Sequence, residues 1–168
     1  RFLTDICKIA YDDKKPFTFI ECDEIESLGV NSKSQLINLD SKFQKIYKNK
    51  LIENGVELIQ PETIRISYDT KIDKDVIIEP NTIINKNVKI KSKTKILSGS
   101  YLEGCVIGKN CLIGPYARIR SYTKINDNVK IGNFVEVKNS KIEKNSKINH
   151  LSYVGDSIIG KNVNVGAG

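Results

Sequence analysis

Aliphatic residues return at every sixth position between Ile66 and Val165. The series shifts by one residue after Leu102, after Val137 and after Val154, and each time it resumes. A small or β-branched residue follows most of its members four positions later, and Gly, Asn or Asp often stands at the places between. The members are Ile66, Ile72, Ile78, Ile84, Ile90, Ile96, Leu102, Ile107, Ile113, Ile119, Ile125, Ile131, Val137, Ile142, Ile148, Val154, Ile159 and Val165.

A period of six fits neither an α-helix, with a period of about 3.6, nor a strand that alternates every two residues. It predicts short β segments joined by bends, with each hexad forming one side of a coil. The aliphatic residue would point inward and the small residue would fill the corner. Gly, Asn and Asp would accept the unusual backbone angles at the bends. No single coil could fold alone, because neighbouring coils bury its faces.

Two different pieces precede the repeat. Apolar residues recur every three or four positions across residues 35–54, which predicts an amphipathic helix, and Gly55 stands where a C-terminal cap belongs. Residues 1–34 predict a short helix followed by a strand at Phe17–Ile20. About thirty residues cannot build a core of their own, so we interpret this piece as the tail of a further domain.

Composition narrows the function classes. The formal net charge of +7 could indicate a nucleic-acid or membrane partner, but the lysines are scattered among Ile and Asn without interleaved aromatic residues. We therefore expect no nucleic acid and no membrane partner. The four cysteines lack the spacing of a zinc site and predict free thiols in the cytoplasm. Because the chain begins with Arg1 and contains no Met, we expect it to be a piece of a longer protein.

The six-residue pattern resembles the hexapeptide-repeat family of left-handed parallel β-helices, in which three hexads close one triangular coil. That resemblance implies a mainly β fold of about six coils. The resemblance also implies three parts. Residues 1–34 would be the C-terminal remnant of a nucleotidyltransferase domain, and residues 35–54 would be a helical linker. Residues 55–168 would be a left-handed β-helix acetyltransferase domain that is truncated at its C-terminus.

Four segments narrow the resemblance further: "GPYARIR", "KIGNFVEVKNS", "NHLSYVGD" and "IGKNVNVGAG". They resemble the family of bifunctional N-acetylglucosamine-1-phosphate uridyltransferase/glucosamine-1-phosphate N-acetyltransferases of bacterial UDP-N-acetylglucosamine synthesis. The resemblance implies acetyl transfer from acetyl-CoA to the amine of glucosamine-1-phosphate, in a cytoplasmic homotrimer. It also implies a magnesium-dependent uridyltransferase half, whose glycine-rich signature loop this chain lacks.

The same resemblance implies a role for individual residues. His150 corresponds to the base that takes a proton from the substrate amine. Arg120 and Lys138 correspond to residues that hold the sugar phosphate. The remaining correspondences are sugar contacts at Tyr153 and Asn164, an acetyl-CoA contact at Ala167, and a magnesium and UDP-sugar ligand at Asn31.

Spacing gives separate support for part of this site. Arg120 follows Ile119 and Lys138 follows Val137, so in a three-hexad coil the two cations stack on one edge. A planar guanidinium and a point-charge ammonium together suit a phosphate monoester. Two adjacent cations repel each other unless an anion lies between them. Spacing alone leaves open that both belong to a solvated lysine-rich face, and that His150 is an ordinary surface histidine.

Other functions remain possible on the same repeat. One is a different hexapeptide acyltransferase, and another is a non-catalytic module that trimerises and presents a surface. Outward apolar residues at Leu112, Phe134 and Leu151 favour packing between copies of the chain. A hexapeptide-type carbonic anhydrase is excluded, because its zinc requires several histidine ligands and His150 is the only histidine.

Overall fold

The computed structural model describes residues 4–166, which form two compact units that divide between Asp40 and Ser41. The first unit contains helix α1, Asp5–Asp12, a 3₁₀ turn at Glu24–Ser27, and the beginning of helix α2, Lys33–Glu53. Ala167, the predicted acetyl-CoA contact, lies outside the described residues. Among the helices of residues 4–166, none is both long enough and apolar enough to cross a membrane.

The strand predicted at Phe17–Ile20 is wrong. Those residues have no regular secondary structure, and they belong to none of the sheets formed by the described residues. Phe19 and Ile20 are 80% and 91% exposed. An isolated β segment is unstable because its backbone hydrogen bonds and its apolar face need a neighbouring strand.

Helix α2 covers most of the predicted residues 35–54 and ends as the sequence indicates. Gly55 has a φ of +85°, and its N–H donates to the carbonyl of Ile52 at 2.9 Å. The N–H of Val56 donates to the carbonyl of Leu51 at 3.0 Å. This is a Schellman motif, which satisfies the last carbonyls of the helix and needs a residue without a Cβ at the left-handed position.

Side chains from the second half of α2 cap the first coil of the repeat. The amide of Gln44 donates to the carbonyl of Ile66 at 2.8 Å and accepts from the N–H of the same residue at 3.1 Å, as a neighbouring strand would. The buried ammonium of Lys48 donates to the carbonyls of Pro61 and Ile64 at 2.6 and 2.9 Å. The open end of the coil therefore has partners for its backbone groups.

Nineteen short strands follow within residues 4–166, and each pairs in parallel with the third strand before or after it. They are β1 Glu57–Leu58, β2 Arg65–Ile66, β3 Lys71–Ile72, β4 Ile77–Ile78, β5 Ile83–Ile84, β6 Lys89–Ile90, β7 Lys95–Ile96, β8 Tyr101–Leu102, β9 Val106–Ile107, β10 Leu112–Ile113, β11 Arg118–Ile119, β12 Lys124–Ile125, β13 Lys130–Asn133, β14 Glu136–Lys138, β15 Lys141–Ile142, β16 Lys147–His150, β17 Tyr153–Gly155, β18 Ile158–Ile159 and β19 Asn164–Val165.

The strands form three parallel sheets, so that three strands make one coil. Sheet A contains β1, β4, β7, β10, β13, β16 and β19; sheet B contains β2, β5, β8, β11, β14 and β17; sheet C contains β3, β6, β9, β12, β15 and β18. The mainly β solenoid of about six coils is confirmed. Its left hand, implied by the family resemblance, stays a prediction.

The inward column of aliphatic residues is confirmed as the core. Most of its members, from Ile66 to Ile148, are at most 1% exposed, and the small residues four positions later are mostly buried beside them. The register passes through all three slips, since Leu102 pairs with Ile119, Ile125 with Ile142 and Ile148 with Val165. Burying an Ile side chain contributes roughly 1.5–3 kcal/mol, so the column supplies most of the driving force for stacking.

Corner residues adopt a left-handed backbone in almost every hexad. Asn fills many of these positions, as predicted, and four of them form a ladder in which each amide donates to the next at 2.9–3.1 Å: Asn110, Asn128, Asn145 and Asn162. We call the bend from a sheet A strand to the next sheet B strand the A–B corner. Bulky residues also adopt the left-handed backbone there, namely Tyr116, Phe134 and Leu151. The prediction named only Gly, Asn and Asp for such bends. Stacking between coils, with the rings of Tyr116 and Phe134 5.6 Å apart, offsets part of the backbone cost.

Candidate active site

Two outward columns of side chains on sheet B bring the predicted phosphate ligands together. In the first column Arg118 pairs with Glu136, and Glu136 pairs with Tyr153. In the second, Lys138 pairs with Gly155, and the N–H of Arg120 donates to the carbonyl of Val137 at 2.8 Å. Arg120 and Lys138 thus occupy equivalent positions one coil apart, as their spacing predicts.

Glu136 provides an anion that sequence reasoning did not assign. Its Oε1 accepts a hydrogen bond from Nη1 of Arg120 at 2.8 Å, and its Oε2 lies 3.8 Å from Nη1 of Arg118. A carboxylate therefore already lies beside Arg120, which reduces its repulsion with Lys138 even when no anion is bound. Both groups are partly exposed, and such an ion pair contributes up to about 1 kcal/mol. The sequence spacing could have indicated this carboxylate, since Glu136 occupies the position one coil after Arg118.

His150 is the last residue of β16, where it pairs with Asn133 of β13. Its side chain is exposed, and the imidazole forms no hydrogen bond with any of residues 4–166. Leu151 then turns the A–B corner with a φ of +48°, and Tyr153 begins the next sheet B strand. The imidazole therefore lies at the end of one face, three residues before the aromatic side chain that follows the corner.

Asn164 lies on the sheet A side of the site. It pairs with Lys147 in the register of β16 and β19, and its Oδ1 accepts a hydrogen bond from the amide of Asn149 at 2.7 Å. Asn149 immediately precedes His150 in the sequence. Asn164 is thus linked to the segment that carries the histidine, one coil further along the solenoid.

Asn31 lies in the first compact unit, where it is exposed and its backbone N–H donates to Oε1 of Gln35 at 2.7 Å. Within residues 4–166 no three or more His, Cys, Asp or Glu side chains are grouped to hold a metal ion. Magnesium is usually bound through carboxylates, substrate phosphates and several waters. A single exposed amide does not form such a site, so no step through magnesium follows from the described residues.

Cysteine chemistry does not contribute a nucleophile to the repeat. All four cysteines are free, and Cys7 and Cys22 are exposed in the first unit. Burial raises the pKa of the Cys105 thiol to about 12, and burial also raises the pKa of Cys111. Both thiols remain protonated at neutral pH and behave as small apolar core residues.

Chemically, sheet B and its corner with sheet A offer three kinds of group in one region. A guanidinium and an ammonium are stacked on one face, an exposed imidazole ends the adjoining face, and an aromatic side chain lies at the start of β17. Paired cations suit a phosphate, and an exposed imidazole can accept a proton from an amine.

Comparison with known proteins identifies the family. The family profile described as bacterial transferase hexapeptide (six repeats) matches residues 104–139. The bifunctional protein GlmU of Jannaschia sp. (strain CCS1) is 41% identical over 167 residues, covering 99% of this chain and 37% of that protein. GlmU of Ruegeria pomeroyi is 42% identical over 73 residues, covering 44% of this chain and 16% of that protein.

A solved structure supports the fold alone. A mutant of perosamine N-acetyltransferase from Caulobacter crescentus, in complex with CoA and GDP-perosamine, matches with a TM-score of 0.58 and 14% identity. The match covers 74% of this chain and 59% of that one. This chain spans little more than a third of the length of its Jannaschia relative, at 37%. With a hexapeptide core, a six-coil solenoid and 41% identity along nearly its whole length, the chain belongs to the hexapeptide-repeat family of the bifunctional GlmU proteins.

Proposed function

We propose that the repeat transfers an acetyl group from acetyl-CoA to the amine of glucosamine-1-phosphate, a step of UDP-N-acetylglucosamine biosynthesis. One observation carries the proposal: Arg120 and Lys138 stack on sheet B, while His150 ends β16 in the adjoining sheet A. All three residues stand in segments that resemble the acetyltransferase half of the GlmU family. The substrate class is inferred from the GlmU relatives, and the relative positions of the three residues follow from the register of the strands.

In this mechanism the phosphate of the acceptor binds to Arg120 and Lys138, which leaves the amine at the A–B corner. His150 accepts a proton from the amino group, and the nitrogen attacks the carbonyl carbon of the acetyl thioester. The carbon–sulfur bond then breaks, the acetyl group remains on nitrogen as an amide, and coenzyme A leaves as the thiol after taking up the proton that His150 carries. The reaction needs no metal at this site. Asn164 and Tyr153 bind the sugar, and Ala167 contacts acetyl-CoA.

Kinetics of the protein expressed from its complete reading frame test the proposal. His150→Ala should lower kcat for acetylation of glucosamine-1-phosphate by about 10²–10⁴-fold with little change in KM, the usual effect of removing a positioned base. Lys138→Ala should mainly raise KM for the sugar phosphate. The matched control is Lys124→Ala, because Lys124 is exposed on sheet C and should leave both constants unchanged. Near-normal turnover of His150→Ala would show that the histidine is an ordinary surface residue.

The alternatives make different predictions in the same assay. Acetylation of another amino sugar, but not of glucosamine-1-phosphate, would identify a different hexapeptide acyltransferase. No acetylation of any acceptor, together with a closed oligomer, would identify a non-catalytic assembly module.

A cytoplasmic homotrimer is part of the proposal. Phe134 and Leu151 are 58% and 65% exposed at the A–B corner, and apolar residues on an otherwise polar face favour an interface between copies. The proposed domain division is a nucleotidyltransferase remnant at 1–34, a linker at 35–54 and the acetyltransferase domain from residue 55. A monodisperse monomer in light scattering at micromolar concentration would contradict the trimer.

A further inference from the structure

The aromatic ring of Tyr153 lies over its own strand, at Gly155. A Cβ added to Gly155 would lie 2.7 Å from both Cε1 and Cζ of the ring, and it would also overlap the phenolic oxygen. Side chains two residues apart on a strand point to the same face, so the second normally fills the space beside the first. Here the second residue has no side chain, and the ring of Tyr153 occupies that space.

This position adjoins the stacked cations. Gly155 pairs directly with Lys138, which follows Arg120 one coil earlier in the same outward column. The ring therefore occupies the next place in that column, below the ammonium-bearing residue. If Tyr153 pointed straight out from its own position, its neighbour would be Glu136 in the other column.

Backbone conformation does not explain a glycine at this position. Gly155 lies in a regular strand and does not have a positive φ, whereas Gly114 has a φ of +99°. Its close contacts are with the far end of one side chain, which can rotate away. At Gly132, by contrast, an added Cβ would overlap the backbone carbonyl of Asn149. An alanine at 155 should therefore displace the ring of Tyr153 while costing the fold little.

We propose that Gly155 is a positioning residue, whose missing side chain lets the ring of Tyr153 turn toward Lys138 and form one wall of the phosphate end of the acceptor site. This inference rests on the proposed function for its substrate. The geometry that it uses, a ring seated on Gly155, does not depend on that function. Any side chain at 155 would move the wall away from the cations.

Two alanine variants separate this role from a general effect on the strand ends. Gly155→Ala should raise KM for glucosamine-1-phosphate by on the order of tenfold, the scale of one lost contact, with a smaller change in kcat. The control is Gly160→Ala, because Gly160 follows β18 and a Cβ there would meet only Cγ2 of Val163, at an ordinary 3.7 Å. The control should leave KM and the melting temperature unchanged.

A double-mutant cycle tests whether Gly155 acts through Tyr153. Tyr153→Ala should raise KM about as much as Gly155→Ala does. In the Tyr153→Ala background, Gly155→Ala should have no further effect, because the ring that it displaces is gone. Additive effects of the two substitutions would overturn the proposal.

A spectroscopic measurement distinguishes failure of the geometry from failure of the proposed function. In protein labelled with ¹³C-glycine, the Hα resonances of Gly155 should be displaced by the ring current, and Tyr153→Leu should return them to ordinary values. Titration with glucosamine-1-phosphate should perturb them without any turnover. Unchanged Gly155 resonances in Tyr153→Leu would overturn the positioning role. A ring-current shift without any response to glucosamine-1-phosphate would instead refute the acceptor assigned under the proposed function.

Discussion

Two threonines inside the solenoid differ in a way that allows a quantitative test of its interior. Thr94 and Thr123 are only 1% and 2% exposed, and both fill corners between strands. The hydroxyl of Thr94 donates to the carbonyl of Gly108 at 2.7 Å and accepts from the N–H of Cys111 at 3.0 Å. The hydroxyl of Thr123 is buried without a hydrogen-bond partner among residues 4–166.

Valine has the branched shape of threonine without the hydroxyl, so substitution isolates the hydrogen bonds. Thr94→Val leaves the N–H of Cys111 buried without its acceptor, which should lower the free energy of unfolding by roughly 1–3 kcal/mol. Thr123→Val removes a buried polar group that gains nothing from the fold. It should raise the free energy of unfolding by about 1 kcal/mol.

Thermal unfolding followed by circular dichroism can measure both changes. For a chain of this size, 1 kcal/mol corresponds to about 2–4 °C in Tm. Thr94→Val should therefore melt several degrees below the unmodified protein, and Thr123→Val a few degrees above it. Equal losses of stability in both variants would show that hydroxyl pairing does not decide corner stability in this solenoid.

Two further predictions concern the core and one corner. Ile131→Lys buries an unpaired ammonium and should lower the free energy of unfolding by several kcal/mol. Ile131→Val should lower it by only about 0.5–1.5 kcal/mol. Similar melting temperatures for the two variants would mean that the inward register is wrong. The N–H of Lys109, together with the ammonium of Lys144, lowers the pKa of the Asp127 carboxyl. The ionised carboxylate therefore stabilises the fold above the unfolded pKa of about 3.9, and this contribution is lost as the pH falls through the lower pKa of the folded state. Asp127→Asn should therefore melt below the unmodified protein at pH 7, and the gap should close below about pH 4; a constant gap would contradict this.

The six-residue repeat could be predicted from the sequence because each position of the hexad meets the same structural environment in every coil. A residue such as Ile131 meets the same environment as its equivalents one coil away, so the pattern is visible without knowledge of any particular contact. The slips after Leu102 and Val137 fall at corners and leave the pairing intact. Periodicity alone therefore predicts both the inward column and the stacking of Arg120 on Lys138.

Contacts that occur once could not be read in the same way. The hydrophobic spacing of α2 predicts the helix, but Leu36 and Ile46 remain more than half exposed, while Lys48 is buried against two backbone carbonyls. A buried lysine is the opposite of what an amphipathic pattern indicates, and its cause is the open end of the first coil. The bulky corner residues Tyr116 and Phe134 were missed because single-residue preferences ignore stacking between coils.

The pairing of Arg120 with Glu136 changes how a phosphate would be bound. An arginine carries five N–H donors in a planar fork, and in this structure Glu136 uses donors on Nη1, so donors on Nε and Nη2 remain for a ligand. The ion pair also restricts a long side chain before the ligand arrives, which reduces the entropy lost on binding. Lys138 forms no ion pair with any of residues 4–166. The two cations are therefore not equivalent: Arg120 is oriented in advance by Glu136, whereas Lys138 carries a charge that no carboxylate of the described residues pairs with. A column of two unpaired lysines would supply charge but not direction, because the ammonium group is a point charge on a flexible stem.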